Sequence, residues 1–284
     1  MNAALEAMSL GIRYKRSWAL RDCSVSIPEG RVVGLVGPNG AGKTTFLHAV
    51  VGLLRPTTGS VRTAGEVAFM AQDKPLYDGF KVAEMLKLGA RLNPGWDQES
   101  ALARLAGLGI PTGRKVGKLS GGQQAQVALT LALARRPRVL VLDEPLANLD
   151  PLARHDVMRS LMTGVAETGM TVVLSSHVVS DLAETCDWLV VLNGGRVQVS
   201  GDIEDLLAEH LILSGPVELA GSLPQGARVV GASRAERQAT LLVKGVRVVD
   251  PRWVVRQASL DDLVMAYLRS PDEAALPRPA GVGA

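Results

Sequence analysis

Four short stretches hold residues whose types and spacing suit phosphate chemistry. "GPNGAGKT", Gly37 to Thr44, fits the pattern G-x-x-x-x-G-K-[ST]. Its glycines let the backbone approach phosphates closely, Lys43 offers a charge to the β- and γ-phosphates, and the Thr44 hydroxyl can reach Mg²⁺. "RVLVLDEP" ends an apolar run on Asp143 and Glu144. With that run as a strand beside the glycine-rich loop, Asp143 is the Mg²⁺ carboxylate and Glu144 the base that orients or deprotonates the attacking water. "VVLSSH" ends on His177. A lone histidine at a strand end is ordinarily structural, but a strand parallel to the one ending at Asp143 would bring His177 to the same sheet edge. A contact to the γ-phosphate is then the better reading.

The fourth stretch is "LSGGQQAQVALTLALARRP", Leu119 to Pro137, where Ser120, Gly121 and Gly122 open an apolar helix. A helix start of this kind offers backbone N–H groups and a positive dipole end to an anion. It is a second phosphate cradle in a chain with one apparent nucleotide pocket. The helical segment 80 to 118 separates it from the loop at Gly37, so it is expected to serve the nucleotide of a second copy. Two chains paired head to tail would then sandwich two ATPs. Gln72, in "FMAQDKPLY", follows a short apolar strand and reads on spacing alone as a surface amide.

The elements that must position these residues follow from hydrophobic periodicity. Leu20, Cys23, Val25 and Ile27 form an outer antiparallel strand, and after Gly30 "VVGLV" is a buried parallel one. "FLHAVVGLL" is helical, residues 80 to 108 form two helices broken by "NPGW" with Asp97 as an N-cap, and the Ser120 helix stops before Pro137. "RVLVL" and "MTVVLSS" are buried strands on either side of a helix that starts at Pro151 and runs to 167. "WLVVLNGGRVQVS" is a hairpin turned at Asn193-Gly194-Gly195. Buried strands alternating with helices imply an α/β fold with a parallel sheet covered on both faces. Past about His210 the segments "PVELAG", "ARVVGAS", "ATLLVKG" and "VRVVD" suggest strands of a small β-rich extension, closed by the amphipathic helix "SLDDLVMAYL". "PDEAALPRPAGVGA" holds too few large apolar residues to pack and reads as a disordered tail.

The bulk numbers exclude several classes. Of 284 residues, 47% are hydrophobic and 21% charged, as in an ordinary globular chain. Lys and Arg number 31 against 28 Asp and Glu, a net charge of +3, which argues against nucleic acid as a partner. The N-terminus lacks the basic start and apolar core of a signal peptide. No stretch approaches the roughly 18 apolar residues of a membrane span, so any membrane role is expected to come from a partner. Cys23 and Cys186, the two cysteines, match no metal or redox spacing and read as packed thiols in a reducing compartment.

"GPNGAGKTT", Gln72, "LSGGQ", "VLVLDEP", "NLD" (Asn148 to Asp150) and "SSH" together resemble, in order and spacing, an ATP-binding cassette (ABC) transporter ATPase subunit over roughly residues 8 to 210. "LSGGQ" is the most specific of these, since other phosphate-loop ATPases lack it. The resemblance implies a phosphate-loop α/β core with an antiparallel β subdomain and a helical subdomain near 75 to 135, followed by a β-rich extension over 211 to 270 and the tail at 271 to 284. It implies ATP and Mg²⁺ as ligands. ATP would be bound by Gly37, Pro38, Asn39, Gly40, Ala41, Gly42, Lys43, Thr44 and Thr45, with Tyr14 stacking on adenine, and in trans by Ser120, Gly121, Gly122 and Gln123. Thr44, Gln72 and Asp143 would hold Mg²⁺; Glu144 resembles the catalytic base, His177 the switch histidine, and Asp150 a carboxylate at the dimer interface.

The implied partners are a second copy or a paired cassette subunit and an integral membrane permease, with the ATPase on the cytoplasmic face of the membrane. The permease would dock where "DKPLYDGFKVAEML" exposes Leu76, Tyr77 and Phe80, although burial preference alone equally allows these three to seal the helical subdomain. The "NPGWD" break and the short extension resemble exporter subunits more than importer ones. The "QQAQ" run after the two glycines departs from the basic residues of many relatives and reads as a change of helix surface. Two rival functions are weaker. A cassette acting on DNA would carry a coiled coil between Lys43 and Ser120, where no sustained heptads occur, and one acting on ribosomes would carry two cassettes. A non-catalytic regulatory cassette is opposed by Glu144 and His177.

Overall fold

The structure is a computed structural model and describes residues 2–221, 223, 226–246 and 250–269. In chain order, two long strands, β1 (Ala3–Tyr14) and β2 (Ser17–Pro28), precede β3 (Val32–Val36) and helix α1 (Lys43–Val50). β4 (Thr58–Thr63) and β5 (Val67–Met70) lead into helices α2 (Val82–Leu92), α3 (Gln98–Gly107) and α4 (Gly121–Leu133). There follow β6 (Val139–Leu142), α5 (Pro151–Thr168), β7 (Thr171–Ser176), the short α6 (Ser180–Ala183), β8 (Trp188–Asn193), β9 (Arg196–Asp202) and α7 (Ile203–Glu209). The last part comprises β10 (His210–Pro216), β11 (Arg228–Arg234), β12 (Gln238–Lys244), β13 (Val254–Gln257) and α8 (Leu260–Arg269).

Strands β5-β6-β7-β3-β8 form a parallel sheet with β9 antiparallel at its edge. Because side chains alternate across a strand, the continuous apolar runs supply both faces. Val33, Leu35, Val139, Val141, Val173 and Val190 pack toward α1 and the β1–β2 pair, while Val32, Val36, Leu140, Leu142, Val172 and Leu174 pack toward α4 and α5. β2-β1-β4 form an antiparallel sheet, so Leu20, Cys23, Val25 and Ile27 are buried as their alternation predicts. Burial pushes the Cys23 thiol up to about 11 and the Cys186 thiol up to about 12, which fits packed thiols that stay protonated.

The helical segment is a third unit. Asp97 caps α3, its carboxylate accepting from the Ser100 N–H at 3.0 Å, and Asn93 ends α2 by donating to the Gly89 carbonyl at 2.8 Å. α2 and α3 share a small core with Val127 and Val116.

β11-β12-β10-β13 make the C-terminal sheet. One of its faces holds a separate core around Leu213, Leu241, Val243 and Trp253. The other, with Ile212, Val230 and Leu242, joins Leu260, Leu263, Val264 and Tyr267 of α8 in the same cluster as Leu189 and Val191 of the parallel sheet. The expectation of a strand at "PVELAG" is corrected: the strand is the preceding "HLILSGP", and Val217–Gly221 coils into a 3-10 turn once Pro216 ends the ladder. Of "VRVVD", residues 247–249 lie outside the described residues, as does the tail at 271 to 284. β1 and β13 had no counterpart in the sequence reading.

Candidate functional site

Each parallel strand leaves the sheet at the same edge, and the residues just beyond are those the sequence singles out: Gly37 after β3, Gln72 after β5, Asp143 after β6 and His177 after β7. This is the edge where open α/β sheets bind ligands. The turn after β3 is closely packed. A Cβ on Gly37 would lie 2.1 Å from the Leu192 carbonyl oxygen, and Gly42 holds φ +104° to enter α1, so neither accepts a side chain without moving backbone. Helix α1 then begins at Lys43, and the first-turn N–H groups of Lys43, Thr44 and Thr45 have no acceptor four residues back. Pro38, Asn39 and Gly40 form the exposed rim of the loop and Ala41 its buried side.

Lys43, Glu144 and His177 are joined. The buried Lys43 Nζ donates to the Gly37 carbonyl at 2.8 Å and lies 3.4 Å from Glu144 Oε1. Glu144 Oε2 lies 2.8 Å from His177 Nδ1, so while the carboxylate is ionised the shared proton sits on the imidazole. Glu144 is held in a left-handed backbone conformation at φ +47°, which needs support from its surroundings. That support comes from Ser175 on β7. Its hydroxyl accepts from the Glu144 N–H at 2.8 Å and donates to Asp143 Oδ1 at 2.6 Å. One fully buried serine thus fixes both acids, a role the sequence reading missed. Its only signal is the serine pair before His177, which looks like any small strand end.

Thr44, Gln72 and Asp143 line one cavity of about 930 Å³ between the parallel sheet and α2–α4, together with His48, Trp96 and Asn148. Among the described residues no cluster of three or more His, Cys, Asp or Glu could cage a metal. One hydroxyl, one amide and one carboxylate fit a Mg²⁺ that keeps waters and arrives with phosphates. Lys74, not foreseen, lines this cavity as a cation together with Arg135. Burial lowers the pKa of Lys74, and its Nζ reaches the Ala147 carbonyl at 3.5 Å.

The remaining sequence-predicted residues stand apart. Ser120 caps α4 with its hydroxyl accepting from the Gln123 N–H at 3.2 Å, while Gln123 Oε1 accepts from the Ser120 N–H at 3.1 Å. Gly121 and Gly122 sit against Leu149 and Ala153 at the start of α5. No hydrogen bond or ion pair joins these four residues to Lys43 or Glu144 among the described residues. Asp150 caps α5, accepting from the Ala153 N–H at 3.0 Å. Tyr14, at the end of β1, is half-exposed. The "QQAQ" expectation is corrected at Gln126, which is buried with neither amide atom partnered among the described residues, whereas Gln123 and Gln124 are partly exposed on the helix. Leu76 is also corrected, being half-buried between two cores, whereas Tyr77 and Phe80 are exposed with ring centroids 5.1 Å apart.

The ABC transporter family matches residues 20–147 of the chain. An energy-coupling factor transporter ATP-binding protein of Symbiobacterium thermophilum is 38% identical over 68% of this chain and 74% of its own length. A thiamine import ATP-binding protein of Escherichia coli is 32% identical over 70% of this chain and 92% of its own length. Among solved structures, an ATP-binding subunit of an ABC transporter superposes with a TM-score of 0.65 at 26% identity, over 72% of this chain and 92% of that one. A dimeric cassette in a post-hydrolysis state with ADP and Pi gives 0.63 at 25% identity, over 70% and 98%. The exporter direction expected from the "NPGWD" break finds no support, since the relatives whose names state a direction are import proteins. With the phosphate loop, the acid pair and the histidine at one sheet edge, the chain belongs to the ABC transporter ATP-binding family, the cassette ATPases whose hydrolysis is coupled to transport.

Proposed function

We propose that two copies of this chain, or this chain and a paired cassette, close head to tail on two ATPs and drive a separate membrane permease. The single observation that carries the reading is the division of the anion-binding groups. Lys43, Glu144 and His177 are in contact, while the Ser120 helix start is fully formed and contacts none of them. A pre-built cradle with no phosphate of its own suits one delivered by a partner, and the dimeric cassette among the structural neighbours supports that arrangement.

In this reading Gly37 to Thr45 hold the phosphates, Tyr14 covers the adenine, and Ser120, Gly121, Gly122 and Gln123 of the partner close over the γ-phosphate. Mg²⁺, held by Thr44, Gln72 and Asp143, would neutralise charge on the β- and γ-phosphates. Glu144 takes a proton from water as the water oxygen bonds to the γ-phosphorus and the bond to the β–γ bridging oxygen breaks, releasing ADP and phosphate. His177 orients Glu144 and faces the same phosphate. Asp150, at the start of α5 beside Gly121 and Gly122, lies at the dimer seam. Among the described residues no helix is long and apolar enough to cross a membrane. The permease would instead dock beside the cavity behind Gln72, where Tyr77 and Phe80 are exposed, with the ATPase at the cytoplasmic face. Relatives named for transport systems support a permease partner.

Mixing two inactive variants tests the pairing. Ser120→Arg chains should bind ATP but not dimerise, and Lys43→Ala chains should bind it weakly. A mixture holds one site damaged on both walls and one intact, so hydrolysis should reappear. A mixture no more active than the separate variants removes the shared site.

A further inference from the structure

Along β7 the side chains of Val173 and Ser175 point to the same face of the sheet. Val141 of β6 pairs with Val173, Leu35 of β3 pairs with Ser175, and all three aliphatic residues lie in the core that faces α1. A hydroxyl in such surroundings is costly unless both its donor and its acceptor capacity are used.

At Ser175 both are used, and the partners settle their directions. The Glu144 N–H can only donate, so the hydroxyl oxygen accepts it at 2.8 Å, which leaves the hydroxyl proton for Asp143 Oδ1 at 2.6 Å. Asp143 is fixed from the other side as well, its N–H donating to the Met70 carbonyl of β5 at 2.9 Å. Its second oxygen is different. Among the described residues Oδ2 is neither hydrogen-bonded nor shielded from water, and Asp143 lines the cavity of about 930 Å³ with Thr44 and Gln72. No hydrogen bond joins Ser175 to Lys43 or His177 among the described residues.

We propose that Ser175 is a positioning residue for ATP hydrolysis: by occupying Asp143 Oδ1 it reserves Oδ2 for Mg²⁺, and by holding the Glu144 N–H it ties the metal carboxylate to the base. The proposal rests on the reading of Asp143 as the Mg²⁺ carboxylate and of Glu144 as the base. Without the hydroxyl, the Asp143 carboxylate is released to turn about its side-chain torsions, and the left-handed backbone at Glu144 loses the acceptor of its N–H. With it, any order that metal binding gives Asp143 reaches the Glu144 main chain through one buried oxygen. Lys43 and its grip on the phosphates lie outside this link.

Equilibrium binding of labelled ATP with and without Mg²⁺, and single-turnover hydrolysis at saturating MgATP, test this on Ser175→Ala. Affinity for ATP without Mg²⁺ should equal that of the wild type, which also reports that the variant is folded. The factor by which Mg²⁺ tightens binding should shrink toward one, and hydrolysis should slow by about tenfold or more, the usual scale for a residue behind a metal ligand. Ser176 supplies the control, since its hydroxyl accepts from the Val178 N–H at 2.9 Å and donates to the Val178 carbonyl at 3.1 Å, with neither acid as partner. Ser176→Ala loses as many hydrogen bonds but should keep the Mg²⁺ factor. An undiminished factor or a wild-type rate in Ser175→Ala overturns the proposal, as does an equal loss of the factor in Ser176→Ala. Should Ser175→Ala fail to bind ATP without Mg²⁺, Ser175→Cys, whose thiol fills the place but donates weakly, carries the same expectations; if both fail, Ser175 serves the fold alone. Asp143→Asn and Glu144→Gln separate the two levels of the argument. If Asp143→Asn keeps the Mg²⁺ factor, or Glu144→Gln the rate, the metal or base reading falls and the proposal with it; if both lose them while Ser175→Ala does not, the proposal alone falls.

Discussion

Glu144 is held by three contacts at once: the Lys43 ammonium, the His177 imidazole and the Ser175 hydroxyl. Glu144→Gln preserves shape and a hydrogen-bonding side chain but removes the proton acceptor. ATP binding should therefore survive while single-turnover hydrolysis slows by roughly 10²-fold or more. Wild-type turnover by this variant would assign the base elsewhere. Lys43→Ala acts one step earlier, because it removes the cation that meets the β- and γ-phosphates. Equilibrium binding of labelled ATP with Mg²⁺ should weaken markedly, and unchanged affinity would remove the role. These residues were legible in the sequence because their chemistry sits in short strings with fixed spacing. Ser175 was not, since a serine inside an apolar strand announces a partner only once β6 and β7 are side by side.

At the scale of elements, the segment from Gln72 to α2 holds a packed aliphatic side chain next to two exposed aromatic ones. Leu76 packs into the cores on both sides, while Tyr77 and Phe80 stack on each other in solvent. Charged replacements at Tyr77 and Phe80 should abolish co-purification with the permease from detergent-solubilised membranes, with ATP binding and thermal stability of the isolated chain nearly unchanged. Co-purification at wild-type yield, or unfolding of the double variant, would return both residues to a packing role. Helices α2 to α5 were legible through their caps and breakers, Asp97, Ser120, Asn93-Pro94-Gly95 and Pro151, which act locally. β1 was not foreseen: "ALEAMSLGIRY" alternates poorly, and its strand form comes from β2 and β4 pairing on either side. The same reason hid β13, whose residues are all exposed and which is a strand by virtue of β10 alone.

Across the whole molecule, the C-terminal sheet and α8 are fastened to the cassette through a shared core that no local pattern could reveal; the amphipathic period of α8 shows an apolar face but not what covers it. His210 sits at that junction, fully buried, its Nδ1 donating to the Leu206 carbonyl at 2.6 Å and its Nε2 accepting from the Tyr267 hydroxyl at 3.1 Å. Burial first, and then the nearby Lys244 charge, lower its pKa, while the Leu206 bond and Glu209 oppose the shift. A histidine that resists protonation when folded but not when unfolded contributes stability that is full above its ordinary value of about 6.5 and lost as the pH falls below it. Urea midpoints should fall between neutral and mildly acid pH, and His210→Gln should flatten that part of the profile. An equally steep profile in the variant would assign the dependence to other groups. The turn that ends β8 joins this junction to the phosphate loop. Leu192 packs under Gly37, Gly195 donates to the Ala41 carbonyl at 3.1 Å, and Asn193 between them donates to the Leu268 carbonyl at the end of α8, at 2.8 Å. If the seating of α8 helps to hold that turn in its ATP-binding form, ATP must tighten the seating of α8 by the same free energy, because coupling is reciprocal. Amide hydrogen exchange along 260–269 should accordingly slow when ATP is bound. Helix α8 would then report on the state of the phosphate loop, and unchanged exchange would mean that the turn carries weight without carrying news.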